Sequence, residues 1–194
     1  MVLKHIKNAN LKNQEYSFDY SNFGYATLGL IIEAVYNKEY TALLNEYVQK
    51  ELGLADTRIS DGNGDLNNYL SWKDGDTYMA AGAVTSNIVD MLSYLELQIK
   101  EKGYLKRCHE SLMKINASPK SYEAMGIRMD EIAMGWIIDT DNNIIWHNGG
   151  TDDYNCYMGF NVETQTGVVI LSNLPPSYRI PATVLGVKLL KEIQ

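Results

Sequence analysis

The sequence predicts an α+β fold in which an antiparallel sheet is flanked by helices. Helical periodicity dominates the chain up to about residue 115, and after Gly126 the apolar residues fall into short runs rich in Ile, Val, Tyr, Phe and Trp. A final amphipathic segment returns to helical spacing. Because no linker or internal repeat divides the 194 residues, we expect a single domain over residues 1–194.

The first part of the chain carries two predicted helices and a loop. Residues 24–36 follow the capping residue Asn22, and residues 40–52 end at Gly53, a residue typical of helix ends. Residues 56–76 are polar and Gly-rich and predict an ordered surface loop. The apolar stripe of the first helix consists of Leu28, Ile31, Ile32 and Val35.

The later elements change from helix to strand and back. Ser86 caps a predicted helix over residues 87–101, and a shorter helix is expected around residues 108–115. A closing helix over 181–193 begins at Pro181. Between these helices we expect consecutive antiparallel strands within residues 131–139, 142–147, 154–162 and 167–173.

Composition excludes several classes of protein. Hydrophobic residues make up 45% of the chain and Pro occurs 4 times, as in a folded protein rather than a disordered one. Seventeen Lys and Arg stand against 24 Asp and Glu, and the net charge of -7 without a basic stripe argues against nucleic acid as a partner. The longest apolar runs are far shorter than the roughly 18 to 20 residues of a membrane-spanning helix, so no membrane span is expected.

Histidine and cysteine usage points to no metal centre and no cofactor. His5, His109 and His147 are scattered without ligand spacing. The two cysteines, Cys108 and Cys156, either pair or stay free, and the sequence leaves their redox state open. The first ten residues carry lysines without a following apolar stretch and so do not match the pattern of a secretory signal. No signal peptide is therefore expected, and localisation is left open.

Two short motifs carry functional chemistry. Tyr20-Ser21-Asn22 precedes a helix, where a phenol beside a cation can act as a general base and an Asn amide can bind a substrate amide. His147-Asn148-Gly149-Gly150-Thr151 follows a strand predicted to end at Trp146, where a histidine can polarise a substrate and the glycines leave backbone open for pairing. Taken alone, each motif is more typical of a structural role than of a functional one. A third segment, residues 80–91, is a small-residue turn that leads into a capped helix.

In order and spacing these segments resemble the later part of serine β-lactamases of the class C type and the related D,D-peptidases and esterases. The resemblance covers about residues 15 to 193 and rests on the Tyr-Ser-Asn helix, KELGLADTRIS, AAGAVTSNIVDM and the strands around IIWHNGG. It implies a β-lactamase/transpeptidase-like fold whose active site combines Ser-x-x-Lys, Tyr-x-Asn and a last motif that is often His-x-Gly. By this resemblance Tyr20 would help move the proton of the nucleophile or of the leaving group, Asn22 would hold the substrate amide, and His147 would polarise the carboxylate side of the substrate. Gly149, Gly150 and Thr151 would border the bound substrate.

The nucleophile motif departs from this pattern. Only 19 residues precede Tyr20, and the single Ser-x-x-Lys, Ser111 to Lys114, follows Tyr20 on a predicted surface helix. Cys156 stands near the expected oxyanion site without a base in its local sequence. We therefore expect a truncated fold that lacks the N-terminal strands and the nucleophile helix and is inactive alone. The sequence leaves open whether the chain is a natural truncated product or a fragment of a longer enzyme.

The expected partners follow from the same departure. Loss of the first half of such a fold would uncover apolar faces, which predicts a homodimer or a second chain that supplies the missing half. A β-lactam or a D-alanyl peptide is the expected ligand, with the choice between β-lactam, peptide and ester open. The alternative role is a non-catalytic pseudoenzyme that binds a peptidoglycan peptide or a protein partner. The resemblance implies a bacterial, usually exported family.

Overall fold

The computed structural model describes residues 2–10, 12–59 and 75–193. The chain forms two compact units, Met1–Asn87 and Ile88–Gln194, and each is described by itself. The expectation of a single domain over 1–194 stays a prediction. Within the described residues, no helix combines the length and apolar character that a bilayer crossing requires.

The first unit is mainly helical. The predicted helices at 24–36 and 40–52 are confirmed, although a π-helical turn, Tyr47–Glu51, forms the end of the second. Residues 60–74, most of the predicted loop, lie outside the described residues. The elements are α1 Val2–Asn8, α2 Asn22–Tyr36, α3 Tyr40–Glu46, β1 Arg58–Ile59, α4 Met79–Gly82 and β2 Val84–Thr85, with β1 antiparallel to β2.

Helix α2 buries its small residues and exposes its large ones. Ala26 and Gly29 are its buried residues, and a Cβ at Gly29 would lie 2.7 Å from Ala80 Cβ, so α2 and α4 pack closely. Leu28 is 52% exposed and Val35 is 72% exposed. The apolar stripe read from the sequence therefore lies on the surface of the described chain and not in its core.

The second unit is built on a sheet of six strands in the order β3 to β8, each antiparallel to its neighbour among the described residues. This confirms the predicted α+β class with a meander of antiparallel strands. Residues 131–139, predicted as one strand, instead form two short strands, Glu131–Ile132 and Ile137–Asp139, which pair with each other. The strands are β3 Met113–Lys114, β4 Glu131–Ile132, β5 Ile137–Asp139, β6 Ile144–Gly150, β7 Asn155–Asn161 and β8 Thr166–Ser172. The helices are α5 Ile88–Ile99, α6 Leu105–Cys108, α7 Lys120–Ala124, a 3-10 turn Pro176–Tyr178 and α8 Arg179–Ile193.

The prediction of a short helix around residues 108–115 is wrong. Helix α6 ends at Cys108, and residues 113–114 form a strand in which Met113 pairs with Ile132. Pairing with β4 satisfies the backbone of this segment, so tertiary structure overrides its local helical pattern. Ser111 lies in the exposed connection between α6 and β3.

Two apolar clusters cover the two faces of the sheet. Helix α8 packs Val187 and Leu190 against one face, with Ile144, Trp146 and Tyr157. Helix α5 packs Leu95 against the other face, with Met158 and Phe160. Because successive side chains of a strand point to opposite faces, β6 and β7 each supply residues on both sides of the sheet.

Candidate active site

The Tyr-x-Asn motif lies at the start of α2. Ser21, and not the predicted Asn22, caps the helix: its Oγ accepts a hydrogen bond from the Gly24 N–H at 3.0 Å. Asn22 is the first helical residue and is exposed, and Tyr20 is 60% exposed. The cap thus leaves the Asn22 side chain available to a ligand.

A second phenol stands beside Tyr20. Partial burial raises the pKa of Tyr25, and the charge that Tyr20 would carry as a phenolate raises the pKa of Tyr25 further. Tyr25 therefore stays protonated as an O–H donor at neutral pH next to the predicted base. Tyr25 belongs to no motif in the sequence, and its position one turn into α2 places it near Tyr20.

The His-x-Gly motif lies inside a strand, which corrects the predicted strand end at Trp146. Strand β6 continues to Gly150, and the Thr151 N–H donates to the Tyr154 carbonyl at 2.8 Å in the turn to β7. Pairing with β5 ends at Trp146, which faces Ile137, whereas pairing with β7 continues to Gly150. The last four residues of β6 thus extend past the end of β5.

Side chains of this segment alternate between the two faces of the sheet. Gly149 pairs with Cys156, and a Cβ at Gly149 would lie 2.9 Å from Cys156 Sγ. Gly150 lies on the α8 side, where a Cβ would be 3.2 Å from Arg179 Cδ. His147 shares the face of Gly149, since the two positions differ by two residues in one strand.

Burial dominates the electrostatics of His147. Desolvation lowers the pKa of His147 below its ordinary value, a hydrogen bond with the Asn148 backbone raises it, and the charge of Arg179 lowers it. The imidazole is therefore mainly neutral at neutral pH and can either donate or accept a hydrogen bond. Arg179, the first residue of α8, was missed in the sequence because only the fold brings it to this strand.

The two alternative nucleophiles have unfavourable surroundings. Although Cys156 is exposed at the surface, partial desolvation of its sulfur raises the pKa of the thiol, and a hydrogen bond with the Gly149 backbone offsets only part of this effect, so the thiol stays protonated at neutral pH. Ser111 precedes a strand, so Ser111 and Lys114 do not share a helix face as a Ser-x-x-Lys pair would. Among the described residues no group of three or more His, Cys, Asp or Glu side chains is placed to hold a metal ion.

Comparison with known proteins identifies the family. The Beta-lactamase family model matches residues 4–188. The chain belongs to the Beta-lactamase family. Among curated proteins, Protein flp of Staphylococcus aureus strain MW2 is 24% identical over 183 residues, covering 83% of this chain and 34% of flp. The chain thus spans about a third of the length of the curated relatives it matches.

Solved structures of Beta-lactamase relatives share the fold. The octameric penicillin-binding protein homologue from Pyrococcus abyssi is 25% identical with a TM-score of 0.69, over 94% of this chain and 45% of that one. A class C β-lactamase from Rhodobacter sphaeroides is 15% identical with a TM-score of 0.70, over 100% of this chain and 65% of that one. The D-amino acid amidase from Ochrobactrum anthropi SV3 is 18% identical with a TM-score of 0.69, over 96% of this chain and 65% of that one. The predicted family and fold class are confirmed.

Proposed function

We propose that this chain supplies the Tyr-x-Asn and His-x-Gly part of an acyl-transfer site of the serine β-lactamase and D,D-peptidase type, and that none of its own 194 residues acts as the nucleophile. The observation that carries the proposal is the extension of β6 past the end of β5, because it leaves backbone beside His147, Gly149 and Gly150 for an extended acyl substrate. The ligand class is a β-lactam or a D-alanyl peptide.

Each residue has a distinct proposed role. Tyr20 moves protons at the acyl centre, and Asn22 binds the substrate amide through an exposed side chain. His147, mainly neutral, donates a hydrogen bond to the carboxylate side of the substrate. Gly149, Gly150 and Thr151 border the substrate, and because the two glycines have no side chain an extended peptide can approach the backbone there.

The surroundings of the serines and cysteines support a nucleophile from outside these 194 residues. Ser111 lacks a lysine on a shared helix face, and the thiol of Cys156 is held protonated. Loss of the nucleophile in a hydrolase of this kind typically costs about a millionfold in rate. We therefore infer that the chain alone binds substrate without turning it over.

The exposed apolar stripe of α2 supports a further packing element. Leu28, Ile31, Ile32 and Val35 are 39% to 72% exposed on one helix. Contiguous apolar surface of this kind marks an interaction site in folded proteins. A second copy of this chain or a separate chain that carries the nucleophile is the proposed partner.

The first test is intact-mass analysis after incubation with a reactive penicillin, followed by peptide mapping. We expect no covalent adduct. An adduct on Ser111 or Cys156 would show that the chain builds its own acyl-enzyme site and would contradict the proposal.

The second test measures binding of a D-Ala-D-Ala peptide by NMR titration. We expect shifts in the amides of Gly149 and Gly150, and at least a tenfold weaker affinity in His147→Ala. His5→Ala, on α1, is the matched control and should bind as the wild type does. Binding without an adduct favours the pseudoenzyme role for the isolated chain, and no binding removes both the catalytic and the binding role.

A further inference from the structure

We propose that Asn155 is a positioning residue of the candidate site: its side-chain amide holds the connection between β8 and α8 and so fixes Arg179 beside the His-x-Gly strand. The proposal deepens the proposed function, because it concerns the surroundings of His147. Its test needs no substrate, so its failure and the failure of the acyl-transfer role are distinguishable.

Asn155 lies where three strands end together. It is the first residue of β7, and it pairs with Gly150 of β6 and with Ser172 of β8. Asn155 is only 2% exposed. Its Nδ2 donates hydrogen bonds to the Leu174 carbonyl and, at 2.8 Å, to the Pro175 carbonyl. One buried amide therefore joins the end of the sheet to the segment that leads into α8.

The orientation of this amide brings its oxygen towards Gly150. Because both partners of the NH2 group are carbonyl oxygens, Oδ1 must point away from the connection. Among the described residues Oδ1 has no hydrogen-bond partner, and it would lie 3.2 Å from a Cβ at Gly150. The same Cβ would lie 3.2 Å from Arg179 Cδ. The absence of a side chain at Gly150 thus leaves a gap that both groups border, and the negative end of the amide dipole favours a cation there.

The segment between Asn155's partners and Arg179 is short and hydrogen-bonded. Only the 3-10 turn Pro176–Tyr178 separates Pro175 from Arg179. The Tyr178 N–H donates to the Pro175 carbonyl at 2.9 Å, and the Arg179 N–H donates to the Pro176 carbonyl. Since a 3-10 turn is tightly wound, the position of Pro175 determines where α8 begins and where Arg179 lies.

The electrostatic consequence falls on His147. Desolvation lowers the pKa of His147, a hydrogen bond with the Asn148 backbone raises it, and the charge of Arg179 lowers it. Cys156, diagonal to His147 in the register of β6 and β7, is protonated and adds no charge. By holding Arg179 near β6, Asn155 adds to the effect of burial and keeps the imidazole in the neutral form that the proposed function uses.

An NMR titration of the His147 ring in Asn155→Leu tests the proposal, because Leu has a similar size but donates no hydrogen bond. We expect the pKa of His147 to shift upwards as Arg179 is released. Asn161→Leu is the matched control. Asn161 is the last residue of β7, is 3% exposed, and accepts hydrogen bonds from the Glu163 and Thr164 N–H groups. We expect this control to lose stability without a shift of the His147 pKa.

A double-mutant cycle tests whether Asn155 acts through Arg179. Arg179→Gln should shift the pKa of His147 upwards, and Asn155→Leu should cause no further shift in the Arg179→Gln background. The proposal is overturned by an unchanged His147 pKa in Asn155→Leu or in Arg179→Gln. It is equally overturned by an equal shift in Asn161→Leu or by additive shifts in the double variant.

NMR of the wild-type protein tests the same contacts even where Asn155→Leu does not fold. The side-chain NH2 protons of Asn155 should be protected from exchange with water, since both are held in a buried site. A nuclear Overhauser contact should join the Gly150 Hα to the Arg179 Hδ protons. An NH2 group that exchanges as fast as in a free peptide, or the lack of this contact, would overturn the proposal.

Discussion

Asn148 donates its side-chain N–H to the Thr183 hydroxyl at 2.8 Å and so ties the middle of the His-x-Gly motif to α8. Thr183 is fully buried, and its own O–H donates to the Arg179 carbonyl at 2.9 Å. One hydrogen bond therefore joins β6 to α8, and the Thr183 hydroxyl that accepts it is itself fixed by its bond to the first residue of that helix. Because Asn148 lies between His147 and Gly149, this connection positions both neighbours along the strand.

Thr183→Val should destabilise the protein by about 1 to 3 kcal/mol, because Val keeps the shape of the side chain but removes both hydrogen bonds. Thr183→Ser, which keeps the hydroxyl, is the control and should lose less. Urea unfolding of the three proteins measures the difference. Equal losses in Thr183→Val and Thr183→Ser would show that the hydroxyl contributes little.

Gly186→Ala should destabilise the protein by about 1 to 3 kcal/mol, since the added methyl group would overlap the fully buried ring of Tyr157. Gly82→Ala is the matched helical control: a Cβ at Gly82 meets no atom within 4 Å. We expect the control to be neutral or slightly stabilising, because Ala favours helix over Gly. Thermal unfolding of both variants would contradict this prediction if their midpoints fell equally.

Gly149→Ala should disturb the hairpin through Cys156, whose Sγ would lie 2.9 Å from the new Cβ. We expect a loss of about 1 kcal/mol in the single variant and a smaller loss in the Cys156→Ala background, where the sulfur is absent. Denaturant unfolding of the four proteins in this double-mutant cycle gives the coupling free energy. A coupling near zero would mean that the hairpin accommodates the methyl group elsewhere.

Stability should fall as the pH drops through about 6.5, the ordinary pKa of an unfolded histidine. Burial lowers the pKa of His109 in the folded state, while Glu101, with Oε1 3.4 Å from Nδ1, acts in the opposite direction. The unfolded chain therefore binds the proton first, so acid favours unfolding, and the loss levels off below the folded-state pKa. His147, with a lowered pKa for the same reason, adds to this dependence.

An NMR titration of the histidine ring signals tests whether the pKa of His109 is lower in the folded protein than in the unfolded chain. His109 should titrate below an unfolded reference peptide, and urea unfolding of His109→Gln between about pH 5 and pH 8 should depend less on pH than the wild type does. A His109 that titrates above the reference would reverse the predicted sign.

The sequence by itself determined the main helices, the run of later strands and the family. Helical spacing in 22–36, 88–99 and 179–193, and alternating apolar runs in 144–172, arise from local side-chain patterns that persist in the folded chain. The motifs Tyr20-Ser21-Asn22 and His147 to Thr151 were visible for the same reason, because their residues are contiguous. The Beta-lactamase family model matches residues 4–188, a range that contains both motifs.

Only the tertiary structure decided where these elements make contact. Residues 113–114 became a strand because β4 supplies their pairing, β6 extended to Gly150 because β7 continues beside it, and the stripe of α2 remained exposed because no described element covers it. The approach of Arg179 to Gly150 and of Thr183 to Asn148 joins residues about 30 positions apart. Spacing along a chain encodes local periodicity, whereas contacts between distant segments depend on the packing of the whole sheet against its helices.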